Sequence, residues 1–397
     1  MLAVAALPTK ILVVDADPAV GNLCQLHLRK HNISVLTACD LSTALYHFNQ
    51  NKFDVVLVEM NFRQLSGLAI IQKWRKHEFI EKRHTGFIVM LGSRRTSGQD
   101  ELAFELADIE MSAKPIQEIQ LLPLLARAVQ SKKAMREFNE IKERAVMPSV
   151  KAGNIAKALE CVNKLIPEYG DRARRLILEV YESASCWAEC LDVALKMLES
   201  NPKDVFLIGT VGRMYMKMGK VVLAKQYMEK ADFIAPKNIE RVSTLANIYL
   251  KTREPIKSAG KYKELIDLSP ESPSLKFEAM KKIYDEGFSA RAIDFGKQVS
   301  EPSEAIKHYN NKGVILSKEG KMTEAIEEYS QALRFFPNYK QNYLIFYNMA
   351  LAYLKIGTAR GSANARTCLQ KCLELDPSFE KAKQKLNLLM ADSAQKS

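Results

Sequence analysis

The strongest constraint on this chain is a periodicity in its second half. "GRMYMKMGKVVLAKQYMEKADFIAP", from Gly212, and "GVILSKEGKMTEAIEEYSQALRFFP", from Gly313, place their small residues and closing proline at identical offsets. Gly212, Gly219, Ala224, Ala231 and Pro236 answer to Gly313, Gly320, Ala325, Ala332 and Pro337. Sliding this template gives units beginning near 171, 205, 239, 273, 306 and 343, at intervals of 34, 34, 34, 33 and 37. Tyr181, Tyr215, Tyr249 and Tyr353 recur at one register position. A unit this short cannot bury its own apolar face, so it must stack on copies of itself. From about Lys151 the chain reads as helical without strands. The 273 unit is the weakest, with Ile283, Ala292 and Val299 but no terminal Pro. "TARGSANAR" predicts a short insertion between the helices of the last unit, and "GNIAKALECVNKLIPE" a partial unit before 171.

The first 125 residues follow another rule. "KILVVDADP" is a continuous apolar run closed by acids and a proline, as for a strand buried on both faces. "ISVLTAC", "FDVVLVEM", "GFIVMLGS" and "IEMSAKP" supply four more strands. Segments with helical spacing lie between and after them, from "PAVGNLCQLHLRKHN" to "IQEIQLLPLLARAVQ". Five strands alternating with five helices predict a doubly wound parallel sheet, whose chemistry belongs at the carboxyl ends of the strands. Asp15, Asp17, Glu59, Gly92 and Lys114 all fall there. The fold class is thus α/β plus all-α: a five-stranded, flavodoxin-like sheet followed by a helical-repeat superhelix.

The element order, with "ILVVDADP", "VVLVEMNFRQLSG" and "SAKP", resembles a response-regulator receiver domain over about residues 8–127. The second half resembles tetratricopeptide repeats. The receiver resemblance implies an acidic pair holding Mg²⁺, an aspartate that accepts a phosphoryl group, and a hydroxyl and a lysine that bind it. Carried over, the acidic pair maps to Asp15 and Ala16, with Asp17 one place late. The acceptor place is Glu59, the hydroxyl place Gly92 (Ser93 follows), the aromatic switch place Met111, and Lys114-Pro115 is retained. Glutamate reaches about 1.5 Å further than aspartate, and sub-ångström placement governs transfer. The expectation is a locked, phosphorylation-independent receiver in which Glu59 pairs with Lys114, with no catalytic residues, metal or cofactor. Asp54, at the far end of its strand, is not expected to replace the acceptor.

The repeat resemblance implies a groove that binds a peptide or partner helix. One inward register position carries Arg213, Asn247 and Lys281, a mainly cationic column suited to acidic side chains. Through Leu125 there are 13 basic and 13 acidic residues; the rest holds 45 and 33, the whole of the +12 excess. An acidic protein or peptide is therefore the expected partner, alongside a histidine kinase or another response regulator for the receiver; oligomers are compatible. Nucleic acid is disfavoured, since no binding motif occurs and Phe335, Phe336, Tyr339 and Tyr343 read as helix packing. Tyr343, Tyr347 and Leu351 read as a cap or a further binding surface. Cys186/Cys190 and Cys368/Cys372 lack further ligands and read as buried apolar residues rather than zinc sites.

No apolar run nears the roughly 18 residues that span a bilayer, and "MLAVAALPTK" lacks the basic start of a signal peptide; a cytoplasmic location is expected. The expected boundaries are a receiver-like domain over 1–127, a solvent-facing helical linker over 128–150, repeats over 151–390 and a disordered tail over 391–397. Together these describe a bacterial two-component-type adaptor. The alternatives are a phosphorylation-controlled regulator with protein-binding output and a phosphatase-like regulator of other response regulators.

Overall fold

The computed structural model describes residues 7–63, 65–81, 85–91, 97–106, 108–337 and 339–394. Parallel strands β1 (Lys10–Val14), β2 (Ser34–Ala38), β3 (Val55–Glu59), β4 (Gly86–Leu91) and β5 (Ile109–Ala113) form one sheet in the order β2-β1-β3-β4-β5. Helices α1 (Pro18–Arg29), α2 (Leu41–Gln50), α3 (Gly67–Glu81), α4 (Ser97–Leu106) and α5 (Glu118–Ile141) connect and follow the strands. The sheet is covered on both faces. Leu12, Val56, Val58, Phe87 and Val89 pack with Phe48, Ile71 and Trp74 on one side. Ile11, Val13, Val55, Leu57 and Ile88 pack with Cys24, Leu28, Leu121 and Leu125 on the other. This is why the strands read as unbroken apolar runs. Asp17 caps α1 by accepting from Ala19 N at 2.9 Å, with Pro18 in the first turn.

The strands are also fixed at their amino ends. Asp54 accepts from Thr9 N and Thr9 Oγ1, both at 2.8 Å, and lies 2.9 Å from Lys132 Nζ on α5. It is a structural clasp well away from the functional rim, in line with the sequence reading. Burial pushes its carboxyl up, but the Lys132 and Thr9 contacts win and lower it to about 2.

The region expected to be a solvent-facing linker is not one. α5 continues to Ile141, a π-type turn spans Lys142–Val146, and α6 (Met147–Lys151) follows with Pro148 in its first turn. Phe138, Val146 and Val150 are buried against Val162, Leu165, Ala173 and Leu176 of α7 (Ile155–Tyr169) and α8 (Asp171–Ser183). The charged residues hid an apolar stripe along one side.

Helix pairs then alternate: α9 (Trp187–Ser200), α10 (Val205–Lys217), α11 (Val221–Ile234), α12 (Ile239–Lys251), α13 (Pro255–Asp267), α14 (Leu275–Asp285), α15 (Ser289–Val299), α16 (Pro302–Lys318), α17 (Met322–Phe335), α18 (Asn342–Ile356), α19 (Ala359–Leu375) and α20 (Glu380–Ala394). The chain divides into two compact units, Met1–Ile248 and Tyr249–Ser397. Among the described residues no helix is long and apolar enough to cross a membrane. "TARGSANAR" makes no loop: Thr358 caps α19 by accepting from Gly361 N at 3.0 Å, and the added residues lengthen that helix. Tyr343 and Tyr347 stand edge-on to Phe379 at 5.2 and 5.0 Å, packed inside the last cluster. α20 runs to Ala394, into the expected tail, and 395–397 lie outside the described residues.

Within the units, one contact recurs. A Cβ at Gly212 would lie 3.0 Å from Met228, and one at Gly313 only 2.4 Å from the Tyr329 ring. Small on the first helix faces large on the second. In the 273 unit the order is reversed. Met280 stands on the first helix and Gly296 on the second, 2.5 Å from where a Cβ would meet the Met280 methyl. The volume is conserved with its halves exchanged, so a template fixed by the other units reads this one as weak.

Three outcomes follow for stability, all read by urea unfolding. Gly313→Ala drives a methyl into a rigid ring and should cost about 1–2 kcal/mol, overpacking exceeding the helix-propensity gain. Gly296→Ala meets only the mobile end of Met280 and should be neutral or stabilising by up to about 1 kcal/mol. Asp54→Asn should cost about 1 kcal/mol at pH 7, discounted for partial exposure. A lowered carboxyl stabilises above its unfolded pKa, so the deficit should vanish as pH falls from about 4 towards 2.

Candidate functional site

β1 and β3 are neighbours in register, Val14 opposite Val58, so Asp15 and Glu59 emerge side by side at the carboxyl rim. Lys114 follows β5, two strands from Glu59, and reaches back to both. Its Nζ lies 2.6 Å from Asp15 Oδ2 and 2.7 Å from Glu59 Oε1. The second glutamate oxygen accepts from Ala16 N at 3.1 Å. Asp15 is 2% exposed and also accepts from Asp17 N at 3.0 Å. The extra methylene of glutamate thus lets one carboxylate take a cation and a backbone donor together. Gly67 is demanded by the same loop: a Cβ there would stand 2.1 Å from the Glu59 carbonyl oxygen. The Lys114-Pro115 peptide is cis.

The electrostatics follow from two carboxylates sharing one ammonium in a half-closed rim. Burial pushes the Asp15 carboxyl above its ordinary value, and Lys114 offsets this only in part. Burial draws Lys114 down, but its bonds to Asp15 and Glu59 outweigh that and hold the ammonium above its ordinary value. The group is therefore charged across the physiological range and stays on its partners.

Of the expected pocket residues, the fold brings together Asp15, the Ala16 backbone, Glu59 and Lys114. Asp17 turns away to cap α1, and Gly92 lies outside the described residues. Ala16 offers no side-chain oxygen. The donor set fits the Mg²⁺ of the family pattern poorly: a hard cation wants six or more oxygens, and Lys114 occupies an oxygen of each carboxylate present.

In the repeats, Arg213 on α10 is already committed. It donates to Thr210 Oγ1 at 3.0 Å and lies 3.5 Å from Glu182 Oε1. Asn247 on α12 donates to the Ser243 carbonyl at 2.8 Å. Lys281, in the second unit, is half-buried on α14. The column is thus less cationic than its residue types imply. Sequence reasoning also missed Arg241 and Glu105, which pair at 2.7 Å while nearly buried. Each sits in an ordinary charged position of its own helix, so only their meeting distinguishes them. The buried thiols of Cys190, Cys368 and Cys372, pushed up by burial to about 11, behave as packing groups.

Comparison with known proteins agrees with this architecture. Residues 11–126 match the family model described as response regulator receiver domain, and residues 306–339 the model described as tetratricopeptide repeat. The regulatory protein VanR of Enterococcus faecium is 25% identical over 134 residues, covering 34% of this chain and 54% of VanR. The chain thus spans about half the length of that curated relative. A receiver domain protein from Clostridium thermocellum is 27% identical, covering 32% of this chain and 98% of its own at a TM-score of 0.28. A tetratricopeptide repeat protein from Parabacteroides merdae is 13% identical, covering 64% and 98% at a TM-score of 0.35. Residues 11–126 thus match a response regulator receiver domain, and residues 306–339 of the helical half a tetratricopeptide repeat.

Proposed function

We propose that this chain is a two-component-type signalling adaptor that works without phosphorylation of its own receiver. The observation that carries this reading is Lys114 held between Asp15 and Glu59. The ammonium stands where a cation and a phosphoryl group would compete for the same oxygens, and Glu59 keeps a backbone bond that a phosphorylated side chain would forfeit. The receiver presents one fixed surface to a signalling partner, a histidine kinase or another response regulator. The repeats bind a second protein, as their stacked helix pairs suit them to do. The receiver and repeat matches are the ground for giving it a binding role here. The basic excess past Leu125 supports an acidic partner at long range, but Arg213 no longer contributes a free charge to it.

Treatment with acetyl phosphate, or with Mg²⁺ and beryllofluoride, should leave receiver amide resonances in place and yield no acid-labile phosphoprotein. A Mg²⁺-dependent shift at Glu59 and Lys114 would overturn the reading.

Lys114→Ala should cost about 1–3 kcal/mol at pH 7, since two carboxylates lose their shared cation. The raised Lys114 stabilises the wild type below the unfolded lysine pKa, and this is lost as pH rises through the folded value. In the variant the raised Asp15 should make stability recover as pH falls towards 4, which unfolding midpoints between pH 4 and 8 will read.

A further inference from the structure

In the first unit the receiver is built into the repeats. Val205, Ile208, Ala231 and Ala235 belong to the same buried cluster as the sheet residues Val58 and Val89. A Cβ at Gly98 on α4 would lie 2.5 Å from Pro236 Cδ. Arg241, 3% exposed, joins Glu105 of α4 at 2.7 Å and donates to the Ala235 carbonyl. Ile239 N donates to Gln72 Oε1 of α3 at 2.9 Å, and Arg172 pairs with Asp108.

Beside this seam opens a cleft of about 1670 Å³, lined by Phe104 and Met111 from the receiver, Phe138 from α5, and Leu178 and Phe206 from the repeats. It exceeds the roughly 300–1,000 Å³ of small-molecule pockets and is sized for a polypeptide segment. Phe104 is 60% exposed, an apolar anchor in an otherwise charged wall. Arg175 lies over the Phe206 ring at 4.4 Å and within 5.8 Å of the Phe104 ring, so both sides of the cleft contribute to one surface.

The sign of the lining decides the occupant. Its described residues hold nine carboxylates against six cations. Every one of those cations already lies within 4 Å of an acid: Lys142 with Glu179, Arg172 with Asp108, Arg174 with Asp171, Arg175 with Asp204, Lys196 with Asp192 and Arg213 with Glu182. Of the remaining acids Glu137 lies 3.9 Å from Lys133, and the exposed Glu101 and Glu168 give the wall its negative excess, on a chain whose net charge is +12. We propose that this cleft docks a basic amphipathic segment of a partner protein, its apolar side on Phe104 and Phe206 and its cations facing Glu101 and Glu168. This rests on the reading that the repeats bind protein, and names the chemistry of what they take in the first unit. Selectivity comes from the local field, since the chain as a whole attracts the opposite sign.

The test is fluorescence anisotropy of the full chain with two labelled 15-residue peptides. One carries Leu and Phe at helical spacing among Lys and Arg; the other has every cation replaced by Glu. The basic peptide should bind at least tenfold more tightly, and binding should weaken as salt rises. The double substitution Glu101→Lys with Glu168→Lys, both at exposed positions, should cost at least tenfold in affinity for it. Phe104→Ser should cost a further several-fold, and circular dichroism should show both variants folded. Tighter or equal binding of the acidic peptide, or basic binding indifferent to all three substitutions, overturns the basic-segment proposal and leaves protein binding standing. Binding of neither peptide overturns both.

Discussion

One ammonium between two carboxylates sets the character of the receiver. Lys114 stands on Asp15 and Glu59 at ordinary ion-pair distances, in a rim whose walls exclude much of the water. Glu59 reaches the ammonium with one oxygen and the Ala16 amide with the other. Because the lysine is held charged by its neighbours, the contact persists over a wide pH range. The loop after β3 folds back on this rim tightly enough that only glycine fits at Gly67.

That fixed rim sits on a platform continuous with the repeats. α5 enters the following helices through a π-type turn without a break, and buried apolar residues run from the sheet into α10 and α11. The first compact unit therefore ends within α12, far beyond the receiver. The receiver core packs on α10 and α11, while the continuation of α5 covers the apolar face of α7 and α8.

Much of this was legible in the sequence because it rests on periodicity. Strands buried on both faces read as unbroken apolar runs, and repeat helices recur at 34, so both patterns survive without knowledge of neighbours. The site was legible in part: the receiver resemblance places Glu59 and Lys114 at the carboxyl ends of their strands, and the structure pairs them at 2.7 Å. The burial of Phe138 and Val146 was hidden, because a stripe of single apolar residues among many charges looks solvated until a partner surface exists. The Arg241–Glu105 pair was invisible for a stronger reason, being a contact across 136 positions between two unremarkable charged residues. The commitment of Arg213 to Glu182 escaped likewise, since residue type reveals a charge but not whom it faces.

The exchanged pair Met280 and Gly296 carries one more consequence. Exchanging one helix of this unit for its counterpart from the 306 unit would set either two bulky side chains or two glycines at the crossing, so the two helices of such a unit can be transplanted only together.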